Sequence, residues 1–240
     1  LPSYAFALSN ADDEYGVKMQ NGIKAKKYTY GFKKDVDFNE KLETNLLGSF
    51  NEYNALGVYA TLVLLGFDKE KVKEVLKSVT PPRGRFEHFT SPNGVLVVVD
   101  YAHTPDALSN VLSVAKGIKT SVGKLISVFG CGGDRDPIKR PIMGKIGAQN
   151  SDIAIFTSDN PRSEDPEKII EEMQKNLSFE ESKKVKIIPN RHEAILEAVR
   201  VALGGDIILC AGKGHETYQE IKGVKNHFDD MEEFKNAYEI

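Results

Sequence analysis

From residue 95 to residue 210 the sequence switches regularly between short runs rich in Val and Ile and longer stretches with apolar residues at three- and four-residue steps. The short runs are residues 95–99, 125–129, 153–156, 185–188 and 206–210; between them lie 105–115, 140–149, 166–177 and 192–203. Runs of four or five β-branched and aliphatic residues suit strands buried on both faces, and the longer stretches suit amphipathic helices. A strand followed by a helix and a parallel strand closes with a right-handed crossover. The pattern therefore predicts an α/β fold, a doubly wound, mostly parallel, Rossmann-like sheet with helices on both sides.

The chain before this alternation reads differently. Residues 1–44 are polar and turn-rich around a short alternating segment, 25–32, and predict short strands and loops. Residues 46–65 place Leu47, Phe50, Leu56, Tyr59, Ala60, Val63 and Leu64 at helical spacing, and Gly66 supplies a stop signal. A second helix over 69–79 must end before Pro81-Pro82-Arg83-Gly84, where the paired prolines cannot continue it. That stretch is read as the boundary between two parts of the chain. Residues 228–238 suit a last helix entered by Asp229-Asp230.

Composition narrows the functional classes. A net charge of −3 provides no basic field for nucleic acid, and the longest aliphatic run, residues 95–99, is far short of the ~20 residues a membrane helix needs. Cys131 and Cys210 have no Cys or His partner at metal-site spacing, so buried free thiols in a reducing, cytoplasmic setting are expected, with no metal on them.

Four predicted strand ends carry chemistry: Asp100-Tyr101-Ala102-His103, Gly130 to Asp136, Thr157-Ser158-Asp159-Asn160-Pro161-Arg162, and Ala211-Gly212-Lys213-Gly214-His215-Glu216. In a parallel sheet all four fall on one rim, where ligands bind. Arg135, Arg162 and Lys213 offer cationic donors; Asp159 and Glu216 offer acceptors. That mixture suits a zwitterion, and an amino acid is the natural candidate. The bland alternative is that Asp134-Arg135-Asp136 forms a local surface ion pair. Residues 117–124 lack the Ser/Thr of a phosphate-binding P-loop, and Gly130-Cys131-Gly132-Gly133 lacks the third glycine of a dinucleotide fingerprint. His103 and His215 suit either acid/base work or structural hydrogen bonds.

With these stretches in place, the sequence resembles the Mur ligases of bacterial peptidoglycan synthesis, in the type that adds meso-diaminopimelate. The resemblance rests on Gly84-Arg85-Phe86-Glu87, on Asp100 to Asp106, on Gly130 to Asp136 with Lys139-Arg140-Pro141, on Asp159-Asn160-Pro161-Arg162 and on Gly212-Lys213-Gly214-His215-Glu216. Asn10 to Gly16 and Phe50-Asn51-Glu52-Tyr53-Asn54 extend it into the first part.

The resemblance implies ATP-driven amide formation on a UDP-muramoyl dipeptide, through an acyl phosphate that the amine of diaminopimelate attacks. It implies that residues 1–88 are the trailing portion of an α/β ATPase domain and 89–240 the amino-acid-binding domain. Asn51 and Asn54 match adenine-contacting asparagines; Arg85 and Asp100 match a nucleotide-contacting pair, with His103 close by. Arg135, Asp159, Asn160, Pro161, Arg162, Gly212 and Glu216 match the diaminopimelate site. Arg162 is expected to grip the distal carboxylate, and lysine, lacking that group, to leave the guanidinium unpaired at a cost of ~10³-fold or more. The family's P-loop, magnesium ligands and carbamylated lysine do not occur in this sequence, so ATP and magnesium would be bound largely by residues upstream. A chain opening on Leu1 in this way is expected to be a fragment that binds substrate without turnover, as a monomer. A non-catalytic amino-acid-binding module and a folylpolyglutamate-synthetase-like ligase are the alternative readings.

Overall fold

The alternation predicted from residue 95 onward is present as a six-stranded sheet, in a computed structural model that describes every residue except 3 and 34. The described chain divides into two units, Leu1–Thr80 and Pro81–Ile240.

In the first unit, β1 (Phe6–Asn10) and β2 (Lys26–Tyr30) pair in parallel across a short helix, α1 (Glu14–Met19), whose N-terminus is capped by the Asp13 carboxylate accepting from Tyr15 N. Two further helices follow, α2 (Ser49–Leu64) and α3 (Lys69–Leu76). Leu56, Tyr59 and Ala60 of α2 pack with Val72 and Leu76 of α3 and with Phe38 to form this unit's core. The helix predicted over 69–79 stops at Leu76 because its last turn tightens: Ser78 N donates to Val75 O and Val79 N to Leu76 O, three residues back rather than four.

In the second unit, β3 (Glu87–Thr90) forms an antiparallel edge beside β4 (Leu96–Asp100), a pairing the sequence reading missed. There follow α4 (Pro105–Ile118), β5 (Leu125–Phe129), α5 (Lys139–Asn150), β6 (Ile153–Phe156), α6 (Pro166–Gln174), the one-turn α7 (Phe179–Ser182) and β7 (Val185–Ile187). Next come α8 (Arg191–Val201), β8 (Ile207–Ala211), a hairpin of β9 (Tyr218–Ile221) and β10 (Val224–His227), and α9 (Asp230–Ala237). The sheet order is β3-β4-β8-β5-β6-β7, parallel throughout except at β3. One face, with Val97, Val99, Ile126, Val128, Ile155 and Ile208, packs under Ala194, Ile195 and Ala198 of α8 and Met231 and Phe234 of α9. On the other, Phe129 and Phe156 meet edge to face, ring centroids 5.1 Å apart, and α5 crosses them so closely that only a glycine fits at Gly147. No helix among the described residues is long and apolar enough to cross a membrane.

Candidate functional site

Because β4, β5, β6 and β8 run parallel, their carboxyl ends lie along one rim, and the loops that leave them converge on a cleft of about 390 Å³. Arg135, Asp159, Asn160, Arg162, Gly212 and Glu216 all line it, with Tyr218 from the hairpin. Pro161 is buried beside the cleft rather than in it, its carbonyl pressed so close to Gly133 that a side chain there would lie 2.0 Å away.

The loop after β6 is fixed from several sides. Arg162 sits at φ 51, a left-handed backbone unusual for a residue with a side chain. Its N–H donates to Glu220 O at 3.0 Å, and its carbonyl accepts from Lys222 N at 2.6 Å. Its guanidinium donates through Nη1 to Gly133 O at 2.7 Å, and Nε lies 3.8 Å from Glu220 Oε2. The guanidinium therefore has a carboxylate neighbour of its own in Glu220, a pairing that the expectation of an unpaired charge did not include. Asn160, 1% exposed, donates from Nδ2 to Glu216 Oε2 at 2.8 Å and accepts from Glu220 N at 2.9 Å. Asp159 accepts from Asn160 N at 2.7 Å, and its Oδ2 lies where Gly212, at φ +115, leaves room: a Cβ there would stand 2.6 Å from it.

Lys213, expected to offer its cation to a ligand, points inward instead. It is fully buried, with Nζ 3.3 Å from Glu216 Oε2 and 3.5 Å from Asn160 Oδ1, and it donates to Tyr218 O. A charge shut off from water needs such partners, and the only carboxylate among them is Glu216. Glu216 Oε2 is thus committed to Lys213 and Asn160, and Oε1 takes no hydrogen bond among the described residues. Glu216, Arg135 and Arg162 thus bring one carboxylate and two guanidinium groups to the same cleft. Arg135 makes no ion pair with Asp134 or Asp136 among the described residues; the Asp134 carboxylate accepts from Ser163 Oγ at 2.6 Å instead.

The nucleotide-type residues are distributed over both units. Asn51 and Asn54 stand one turn apart on α2, with Asn54 Nδ2 donating to Asn51 Oδ1 at 3.2 Å. In the second unit, the Arg85 guanidinium lies over the Tyr101 ring, 4.8 Å from its centroid, and the His103 ring packs edge-on against Tyr101 at 4.6 Å on the cleft wall. Asp100 is buried, and its two oxygens accept from Phe86 N and Ala102 N, both at 2.8 Å. Burial pushes its carboxyl above the usual aspartate range against those two hydrogen bonds. No group of three or more His, Cys, Asp or Glu among the described residues could hold a metal ion.

Two arginines to which the sequence reading gave no role at the site shape the rim. Arg140, 3% exposed, donates to Glu164 and Glu172 at 2.8–2.9 Å and to Gly132 O at 3.3 Å, fastening the loop after β5 to α6. Arg191 is fully buried between Asp230 and the carbonyls of Ser158 and Ala211. Arg140 was visible in the Lys139-Arg140-Pro141 stretch at the start of a predicted helix and Arg191 stood just before another, and neither position tells a buried arginine from a solvated one.

The sequence family described as "Mur ligase, glutamate ligase domain" matches residues 84–214, more than half of the chain. The chain belongs to the Mur ligase family. Within this family it is 46% identical to a UDP-N-acetylmuramoyl-L-alanyl-D-glutamate–2,6-diaminopimelate ligase of Bacteroides thetaiotaomicron, over 99% of its own length and 53% of that protein's. A Cytophaga hutchinsonii ligase of the same name is 49% identical, over 96% of the chain and 51% of the relative. A solved Mur ligase structure of that name superposes with a TM-score of 0.70 at 35% identity, covering 98% of the chain and 53% of the structure. The chain spans about half the length of the curated relatives it matches.

Proposed function

We propose that this chain is the amino-acid-selecting part of an ATP-dependent ligase that joins meso-diaminopimelate to the D-glutamyl carboxylate of UDP-N-acetylmuramoyl-L-alanyl-D-glutamate. The observation that carries the reading is the composition of the rim cleft. Guanidinium groups of Arg135 and Arg162 stand with the carboxylates of Asp159 and Glu216 around one cavity of about 390 Å³. Two forked donors answer two carboxylates, and two acids answer ammonium groups, which fits an amino acid with a charged group at each end.

In the reaction so read, ATP phosphorylates the D-glutamyl carboxylate and the amine of the bound amino acid displaces phosphate from the acyl phosphate. This cleft contributes position: it holds the amine in line and gives up little of its own chemistry. Residues 1–88 are assigned to the trailing portion of the ATP-binding domain, with Asn51, Asn54, Arg85, Asp100 and His103 toward the nucleotide, and 89–240 to the amino-acid domain. The described residues supply no cluster of His, Cys, Asp or Glu suited to a metal ion, and the magnesium ligands are assigned to the remainder of the enzyme. The full enzyme is read as a cytoplasmic monomer.

Isothermal calorimetry on the chain tests this. Binding of meso-diaminopimelate in preference to lysine, weakened by Arg162→Ala, is expected, together with no release of phosphate from ATP by the chain alone. Equal affinity for the two amino acids, or diaminopimelate binding untouched by Arg162→Ala, would sink the assignment. Phosphate release by the chain alone would sink the reading of it as a substrate-binding part.

A further inference from the structure

The β9–β10 hairpin is sewn to the loop after β6 at residues 159, 160 and 162. Gln219 Nε2 donates to Asp159 O at 2.8 Å, and Glu220 N to Asn160 Oδ1 at 2.9 Å. Arg162 then exchanges backbone hydrogen bonds with Glu220 and Lys222, and pairs with Ile221 as an isolated parallel bridge. Pro161 needs no such bond, since it has no N–H to satisfy. A left-handed non-glycine residue persists only where its surroundings over-determine it, and here the hairpin does so.

This stitching delivers one charged side chain to the site. Glu220 Oε2 lies 3.8 Å from Arg162 Nε, with the two side chains 24% and 20% exposed. Arg162 Nη1 is occupied by Gly133 O, so the edge formed by Nε and Nη2 is the one on which a ligand carboxylate can make two parallel hydrogen bonds. Glu220, with Oε2 3.8 Å from Nε, is the carboxylate that pairs with Arg162 among the described residues.

We propose that Glu220 is a specificity-determining residue of the cleft: its carboxylate is the internal counter-ion of Arg162, and a ligand carboxylate must displace it. The inference rests on the reading of the cleft as a diaminopimelate site. It has a consequence for selectivity that Arg162 alone does not. An amino acid without a second carboxylate leaves the Arg162–Glu220 pair intact and loses little, while one that carries it gains a contact but breaks a pair. Glu220 therefore narrows the discrimination that Arg162 would otherwise impose, and in exchange keeps the empty site neutral at that point.

The test is calorimetry with meso-diaminopimelate and lysine on the unaltered chain and on Glu220→Gln. The stitching uses the backbone of residue 220, so the amide leaves it in place. Removing a partly exposed counter-ion is expected to tighten diaminopimelate by about two- to fivefold and to leave lysine unchanged or weaker, so the ratio between them widens. Glu220→Asp, with the charge kept but drawn back from Arg162, should fall between the two. A ratio that stays the same or narrows in Glu220→Gln overturns the proposal while leaving the diaminopimelate reading intact. An unaltered chain that binds neither amino acid overturns both.

Discussion

Arg191 and Asp230 lie side by side in the interior of the second unit, joined by two parallel hydrogen bonds of 2.7 Å, with neither side chain exposed to water. The guanidinium has further acceptors in Ser158 O and Ala211 O, one at the end of β6 and one at the end of β8. It thus ties together two of the strand ends from which the cleft is built.

Removing one member of this pair leaves the other's charge buried without water or a counter-ion. Arg191→Met is expected to cost about 3–5 kcal/mol of stability, and Arg191→Met with Asp230→Leu to recover a large part of it. Urea unfolding of the two variants measures this; equal losses in single and double variants would show that the charges are not coupled.

Lys213→Met removes the cation beside Glu216 Oε2 and leaves the Tyr218 carbonyl without its donor. A stability loss of about 1–3 kcal/mol is expected for the orphaned acceptor. Diaminopimelate affinity should fall at least tenfold, roughly the 1.4 kcal/mol equivalent, because Glu216 loses its buried counter-ion and is held by Asn160 alone. Retained affinity in a folded variant would show that Lys213 does not position Glu216.

Gly212→Ala forces a Cβ to within 2.6 Å of Asp159 Oδ2 at a backbone φ of +115. A loss of about 1–3 kcal/mol and weaker diaminopimelate binding are expected. Gly117→Ala provides the contrast, since a side chain at that position of α4 meets open space, and should stabilise the helix by about 1 kcal/mol. Thermal denaturation of the pair should move in opposite directions.

Acid should loosen the loop after β5 before it unfolds the sheet. The Arg140 guanidinium holds the carboxyls of Glu164 and Glu172 below the ordinary glutamate value of 4.5. Below that value the unfolded chain binds more protons than the folded one. The stabilisation is therefore complete above about pH 4.5 and is lost as pH falls through the depressed folded values. Hydrogen exchange at residues 132–135, taken relative to the intrinsic rate at each pH, should rise from pH 6 downward in the native chain. In Glu164→Gln it should already be raised at pH 6.

Much of this architecture was legible in the sequence because burial on both sheet faces leaves an unbroken aliphatic signature, and β4, β5, β6 and β8 all carry it. β3, with Glu87 and His88 among its four residues, is an edge strand and lacks that signature. The β9–β10 hairpin turns on Lys222-Gly223, both at positive φ, rather than on the Asn-Gly or Asp-Gly pairs that announce such turns. Glu220 was therefore missed. At the site, residue type showed which charges gather at the rim but not which way each points. Lys213 and Arg162 look alike as cations beside glycine or proline, yet one is sealed inside and the other lines the cleft.

The hairpin also sets an order of assembly. Asn160 meets Glu220 across 60 positions of chain, and Arg191 meets Asp230 across 39. The sheet closes still longer loops, Val97 pairing with Ile208 and Ser127 with Leu209, so loop length does not rank the two; aliphatic burial drives the strands together, whereas these polar contacts gain little until water has already been excluded. A nascent or refolding chain would pass through a stage with its sheet in place and Arg162 still free to leave its left-handed conformation. Recognition of the amino acid would then be acquired at the end of folding, as a separate event from the formation of the core.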